Sequence, residues 1–426
     1  MPEIKPFHGI LYNPGKVHLD DVVAPPYDVI SPELQSELYE RSAYNVVRLI
    51  LGQEEDRYAS AAKYFAQWKN EGIIEQESTD SLYVIVQNFT LPSGKSFERK
   101  GFIAACRLED FGHGSIFPHE KTLSGPKEDR LKLFRSMNAM SSQIFSIYAD
   151  PEYHVESILQ AGTTGQPYVD VAFDGVRNRL WKLKNIESIS SIMRYLKTQN
   201  VFVADGHHRY ETAILYRNEM RKQNPQYSGS EAFNFVPMFF ANMYDPGMVI
   251  LPTHRLVHGV PDFDPSIFIE HLQNYFTIDE CHSLDILETK LAHSTGGKFG
   301  LILRENPRFL LLQHINTSIM KLLEVPDILA KLDVTILHSV IFKHILKMSD
   351  EDQMKKRFLD YEKDAQHAAA VVNRDDYQAA FLMNATRVAQ VCAVAEAGFT
   401  MPQKSTYFFP KLLSGIVTYS LTGVLS

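Results

Sequence analysis

Ten residues, Val201–Tyr210 (VFVADGHHRY), constrain this chain more than any other stretch. Four apolar residues read as a buried strand, and a helical pattern follows at once through YETAILYRNEM, leaving Asp205-Gly206 for the junction. A turn that tight calls for glycine, whose missing Cβ frees the backbone and lets a ligand approach closely. The N–H groups of the first helical turn then point into one spot, and the helix dipole adds partial positive charge there. Such a place binds phosphate. Arg209 lies in that turn and can clamp phosphate oxygens with two parallel hydrogen bonds, while His207 and His208 supply further donors. The same residues also suit a plain helix start, with Asp205 as N-cap and the histidines on the surface. A metal site is disfavoured, because adjacent residues rarely converge on one ion and no third ligand is in view.

A second segment, Phe117–Phe134 (FPHEKTLSGPKEDRLKLF), places His119-Glu120 ten residues before Arg130 in a candidate helix. A carboxylate is what a hydroxyl-activating base requires, and an ordinary glutamate, with a pKa of about 4.3, is ionised at neutral pH. Arg130 and Lys127 could bring positive charge to a phosphoryl group. A solvated charged loop is the competing account of the same residues. Three further stretches could complete a site. Met401–Lys411 (MPQKSTYFFPK) offers Lys404, Ser405, Thr406 and Lys411 without the GxxxxGK[ST] frame of a P-loop. Pro252-Thr253-His254-Arg255 offers a cation, and Asp28 in the proline-stiffened loop VAPPYDVIS offers another acid or a turn residue.

Strand-like and helix-like stretches alternate along the chain, which predicts a mixed α/β (α+β) protein. With 426 residues, 45% hydrophobic and 22% charged, the chain can bury a large core without disulfides. Three lobes are expected: 1–110 an N-terminal α/β lobe, 111–260 the phosphate-binding core, and 261–426 a C-terminal α/β lobe. Asn45–Leu51 reads as a strand and Asp56–Gly72 as a helix. Hairpins are expected at Ser81–Leu108, around Asp174-Gly175 and around Glu305-Asn306-Pro307, with an amphipathic helix at Asp333–Lys347. A net charge of −8 and no basic stripe argue against nucleic acid. Three widely spaced cysteines point to a reducing, cytoplasmic setting, and no apolar run is long enough for a bilayer.

An early His-Glu, an arginine-bearing helix and then strand–DGxHR–helix is an order that resembles the ParB/sulfiredoxin-like nucleotide-binding superfamily, most closely its free serine kinases. Nearly the whole length also resembles a bacterial family of unknown function, through VAPPYDVIS, NVVRL, PHEKTLSGPKEDRL, VADGHHRYETA, LPTHRLV and MPQKSTYFFPK. The superfamily likeness implies a ParB/sulfiredoxin-like core with added terminal lobes. It makes Glu120 and Asp205 the catalytic acids and Gly206, His207, His208, Arg209 and Arg130 the nucleotide-binding set. His119, Lys404, Ser405, Thr406 and Lys411 become acceptor-side candidates. Glu120 and Asp205 stand 85 positions apart (205 − 120), further than in compact members, so the Asp174-Gly175 hairpin would be an insertion. The implied reaction is phosphoryl transfer from ATP or ADP, with Mg2+, to a small hydroxyl metabolite such as free L-serine. The alternatives are a nucleotide-binding or nucleotide-hydrolysing regulatory module, a hydrolase of a phosphorylated metabolite, and a structural scaffold. The sequence leaves the metal ligands and the oligomeric state open.

Overall fold

The computed structural model describes every residue except Lys121, Leu123, Ser294, Thr295, Glu305, Pro307, Asn316, Asp375 and Ser426. Parts of two sequence expectations, Lys121 after the His-Glu step and Glu305 and Pro307 of the last hairpin turn, therefore lie outside the described residues. The chain forms two compact units: Met1–Pro118, Thr122–Val249 and Pro410–Ser426 make the first, His119–Lys121 and Ile250–Phe409 the second.

The first unit is built on a nine-stranded mixed sheet. Its strands are β1 (Ile4–Lys5), β2 (Leu82–Thr90), β3 (Ser96–Arg107), β4 (Ile116–Phe117), β5 (Ile144–Tyr148), β6 (Val169–Phe173), β7 (Val176–Leu183), β8 (Val201–Asp205) and β9 (Phe235–Asn242). They run in the order β4-β8-β5-β9-β3-β2-β7-β6, with β1 on β3. All eight residues of β9 are buried, as a strand covered on both faces requires, whereas β6 and β7 alternate. β8 pairs parallel with β4 and antiparallel with β5, and the β8–β5 register shifts between Val203 and Asp205. That irregularity re-aims the strand end just before the junction with the helix.

The helix Arg57–Asn70 starts where the Asp56 side chain accepts from the Ala59 amide at 3.0 Å, and it buries Ala61, Phe65 and Trp68. The expected strand at Asn45–Leu51 is instead a helical turn, Val47–Ile50. The cause is Asn45, fully buried, whose side chain accepts from the Val47 amide at 2.9 Å and donates to the carbonyls of Asp21 and Val23. This local capping outweighs the β propensity of two valines.

The second unit holds a six-stranded antiparallel sheet: β10 (His254–His258), β11 (Phe276–Cys281), β12 (Lys298–Leu303), β13 (Phe309–His314), β14 (Leu359–Glu362) and β15 (Tyr377–Leu382). The order is β11-β13-β12-β15-β10-β14. The amphipathic segment expected at 333–347 begins as the α-helix Asp333–Ile336 and widens into a π-helical stretch, Leu337–Ile345. It buries Leu337, Val340, Ile341 and Phe342 against Phe381 and Phe299, and it carries a buried histidine, His338, into that core. Among the described residues no helix is long and apolar enough to cross a membrane.

Candidate active site

At the end of β8, Gly206 takes φ +92°, and the helix His207–Gln223 begins with the next residue. A Cβ at this position would lie 3.0 Å from Arg209 Nη2, so the glycine serves both the left-handed turn and the seating of the guanidinium. The N-cap residue is Gly206, which has no side chain to cap with. The Asp205 carboxylate joins two cations. Oδ2 accepts from Arg209 Nη2 at 2.9 Å, and Oδ1 is bonded to the Lys411 ammonium. Arg209, 6% exposed, also donates to the Gln143 carbonyl.

A third cation, Arg99 of β3, is fully buried over the Phe145 ring and donates to Gln87 and to the Pro410 carbonyl. Burial pulls Arg99 down to about 9, while the charges of Asp245 and Asp205 oppose the fall. Asp205 therefore pairs directly with two cations and shares a third, Arg99, with Asp245, at the start of a 17-residue helix whose dipole adds positive charge. His207 is buried, His208 half-buried, and the His208 carbonyl accepts from Thr212 Oγ1 at 2.7 Å.

Arg130 is also in the first unit, with other partners: Nε donates to Asp129 at 2.7 Å and Nη1 to the Ile50 carbonyl at 2.7 Å. Its guanidinium lies 4.0 Å from the centre of the Tyr27 ring, in the proline-stiffened loop. Burial raises the Tyr27 phenol, and the charges of Arg130 and Arg209 pull it back. Both arginines thus act on one side chain of that loop, whose Asp28 is exposed. Lys127 pairs with Glu211 of the helix His207–Gln223 at 2.7 Å, both half-buried.

The second unit collects the remaining motifs. His119 is fully buried; its Nε2 lies 2.9 Å from Thr406 Oγ1, and its carbonyl accepts from the Met401 amide at 2.8 Å. Glu120 bridges in parallel to Met401. Arg255 of β10, 2% exposed, donates to the Thr253 carbonyl and, through Nη2, to the Lys404 carbonyl at 3.2 Å. PHE, PTHR and MPQKST therefore form one hydrogen-bonded cluster in which Ser405 and Thr406 are buried and the Lys404 side chain is exposed. Burial lowers Arg255 to about 10, against the charges of Tyr361 and Glu120.

Two residues tied to these clusters, Arg99 and Tyr361, stand outside every motif named from the sequence. For Arg99 the available signal is a charged pair, Arg99-Lys100, inside a strand whose next residues, GFIAAC, are wholly apolar. A cation there needs a buried partner. As for magnesium, among the described residues no group of three or more His, Cys, Asp and Glu could hold an ion. Asp205, the acid at the phosphate-type turn, is already taken by two cations.

These features define a class: a two-unit mixed α/β protein with a cation-ringed strand–glycine–helix turn. The chain belongs to DUF1015, a family described as a protein of unknown function, whose pattern spans residues 4–335. No curated protein matches it. Among solved structures it is similar to a conserved hypothetical protein from Pyrococcus furiosus, at 14% identity and a TM-score of 0.34, covering 70% of this chain and 90% of that one. It is also similar to a free serine kinase in complex with AMP, at 12% identity and a TM-score of 0.34, covering 69% and 83%. A third is SbnI with C-terminal truncation from Staphylococcus aureus, at 11% and 0.36, covering 73% and 85%. At such scores these likenesses carry no argument about the reaction.

Proposed function

We propose that this protein is a nucleotide-dependent phosphotransferase that phosphorylates a small hydroxyl metabolite, free L-serine first among the candidates. One observation carries the reading: Asp205 pairs with Arg209 and Lys411 and acts on Arg99, at a helix start opened by Gly206 in a left-handed turn. Excess positive charge, converging amides and a glycine turn suit a chain of phosphates better than any neutral ligand. On this reading residues 111–260 carry a ParB/sulfiredoxin-like core, with Gly206, His207, His208, Arg209 and Lys411 holding the nucleotide of ATP or ADP. Asp205 orients Arg209 and Lys411. Magnesium, if bound with the nucleotide, would supply charge neutralisation of its phosphates.

Glu120 takes the acceptor's hydroxyl proton. A loose transition state asks mainly for positioning and charge, so no covalent intermediate on the protein is required. Glu120→Gln removes the base and keeps the shape; turnover should fall roughly 100-fold or more with ADP and ATP affinity unchanged. The deciding assay incubates the full-length protein with labelled ATP or ADP, magnesium and L-serine. Phosphoserine supports the proposal. Free phosphate alone makes the protein a hydrolase, nucleotide binding without turnover makes it a regulatory module, and no nucleotide binding ends the reading.

A further inference from the structure

Among the described residues, the second unit contains buried polar atoms without a hydrogen-bond partner: Arg255 Nε, the Tyr361 hydroxyl and His338 Nε2. Two of them sit side by side, and the charge of one reaches the third. Arg255 and Tyr361 are register partners on β10 and β14, with the guanidinium 5.5 Å from the ring centre. Arg255 also acts electrostatically on His338, which is 6% exposed, as Arg255 is 2%. Leaving such atoms unpaired is costly, and native proteins do so mainly where a ligand or water completes them.

The polarity of each atom is fixed by its neighbours. Arg255 Nε can only donate. Gln353 Nε2 donates to the Met348 carbonyl at 3.2 Å, so its Oε1 faces His338 Nδ1 at 2.7 Å. His338 Nδ1 therefore carries the proton, and Nε2 is a bare acceptor. The Tyr361 hydroxyl can do either. A single partner completing all three must offer an acceptor to Arg255 and a donor to His338.

The geometry points to a site for a small zwitterion or hydroxy acid, its carboxylate on Arg255 Nε and the Tyr361 hydroxyl and its N–H or O–H on His338 Nε2. The site lies in the cluster that holds Glu120, since Arg255 donates to the Lys404 carbonyl and the following residues bond His119. It deepens the phosphotransfer reading by giving the acceptor its carboxylate anchor, and it rests on that reading only for the choice of L-serine as first probe.

The test is calorimetric titration of the full-length protein, without nucleotide, with L-serine, glycine and serinol, the last being serine with its carboxylate reduced to an alcohol. L-Serine should bind, and serinol should bind at least tenfold more weakly. Tyr361→Phe removes only a hydroxyl that the fold does not use, so it should weaken L-serine about tenfold while leaving Tm and ADP affinity unchanged. Arg255→Lys should abolish L-serine binding; should that variant not fold, Tyr361→Phe decides alone. Equal binding of serine and serinol, unchanged binding by Tyr361→Phe, or no binding of any of the three overturns the assignment. The two proposals fail separately. L-Serine binding without phosphoserine formation keeps the site and removes the kinase, whereas phosphoserine formation with an unaltered KM in Tyr361→Phe does the reverse.

Discussion

Asp205 is the residue on which the first unit's charge balance turns. Its side chain is 19% exposed, Lys411 is 13% and Arg209 is 7%, so none of the three is fully solvated. Removing the one negative charge strands cations that water reaches poorly, which costs more than the loss of an exposed pair. Asp205→Asn should lower unfolding stability by about 2 kcal/mol or more in urea titration. A change below about 0.5 kcal/mol would show that the cations are satisfied elsewhere. Arg130 makes a contrast. It is held by Asp129, the Ile50 carbonyl and the Tyr27 ring of the proline loop, partners a phosphate would have to compete with. Arg130→Lys loses the planar fork and the ring stacking, so about 1–2 kcal/mol of stability should go while ADP affinity stays within about twofold. An affinity loss that outruns the stability loss would return Arg130 to the nucleotide set.

At the scale of elements, the β8–Gly206–helix junction was legible because three signals agreed: an apolar run, a DG pair and a helical period. Hairpins at Leu82–Arg107 and Val169–Leu183 were legible for the same reason. What stayed hidden depends on contacts distant in sequence. Nothing near Arg99 announces that Pro410 will accept its hydrogen bond from 311 positions away, or that Lys411 will reach Asp205 across 206. The Val47–Ile50 turn was misread as a strand because its determinant is the buried Asn45 amide, not the valines. The sequence offered Asp205 as an acid at a phosphate-type turn or as a plain helix cap; that it pairs with Arg209 and with the distant Lys411 could be read only from the fold. The junction itself can be tested. Gly206→Ala forces a side chain into a left-handed turn and against Arg209, so stability should drop by about 1–2 kcal/mol. ADP affinity should fall with it; a variant that keeps full affinity would show that the turn does not meet the nucleotide.

Across the whole molecule the two units carry opposite responses to acid. In the second unit burial depresses His254 to about 4 and His338 to about 3, with the Arg255 charge adding to both. His254 Nδ1 accepts from the Met383 amide at 3.1 Å, a bond that protonation there would break. The unfolded chain takes up these protons near pH 6.5 and the folded unit does not, so its stability is complete above that value and falls as pH drops toward 4. At pH 5 each histidine should cost about 2 kcal/mol. In the first unit Glu156 behaves the other way: burial, and after it the Asp245 charge, raises it to about 7. Its folded form holds a proton that the unfolded chain releases near 4.5, so acidification from 7.5 toward 5 favours the folded state. Both tryptophans, Trp68 and Trp181, belong to the first unit, so their fluorescence reports it alone, whereas far-ultraviolet circular dichroism reports both. Urea unfolding followed by the two signals should therefore diverge on going from pH 7.5 to pH 5. The dichroism should begin to fall at lower urea than before while the fluorescence midpoint holds or rises. Transitions that shift together to lower urea would mean that the two units unfold as one, or that the buried histidines are already protonated in the native state.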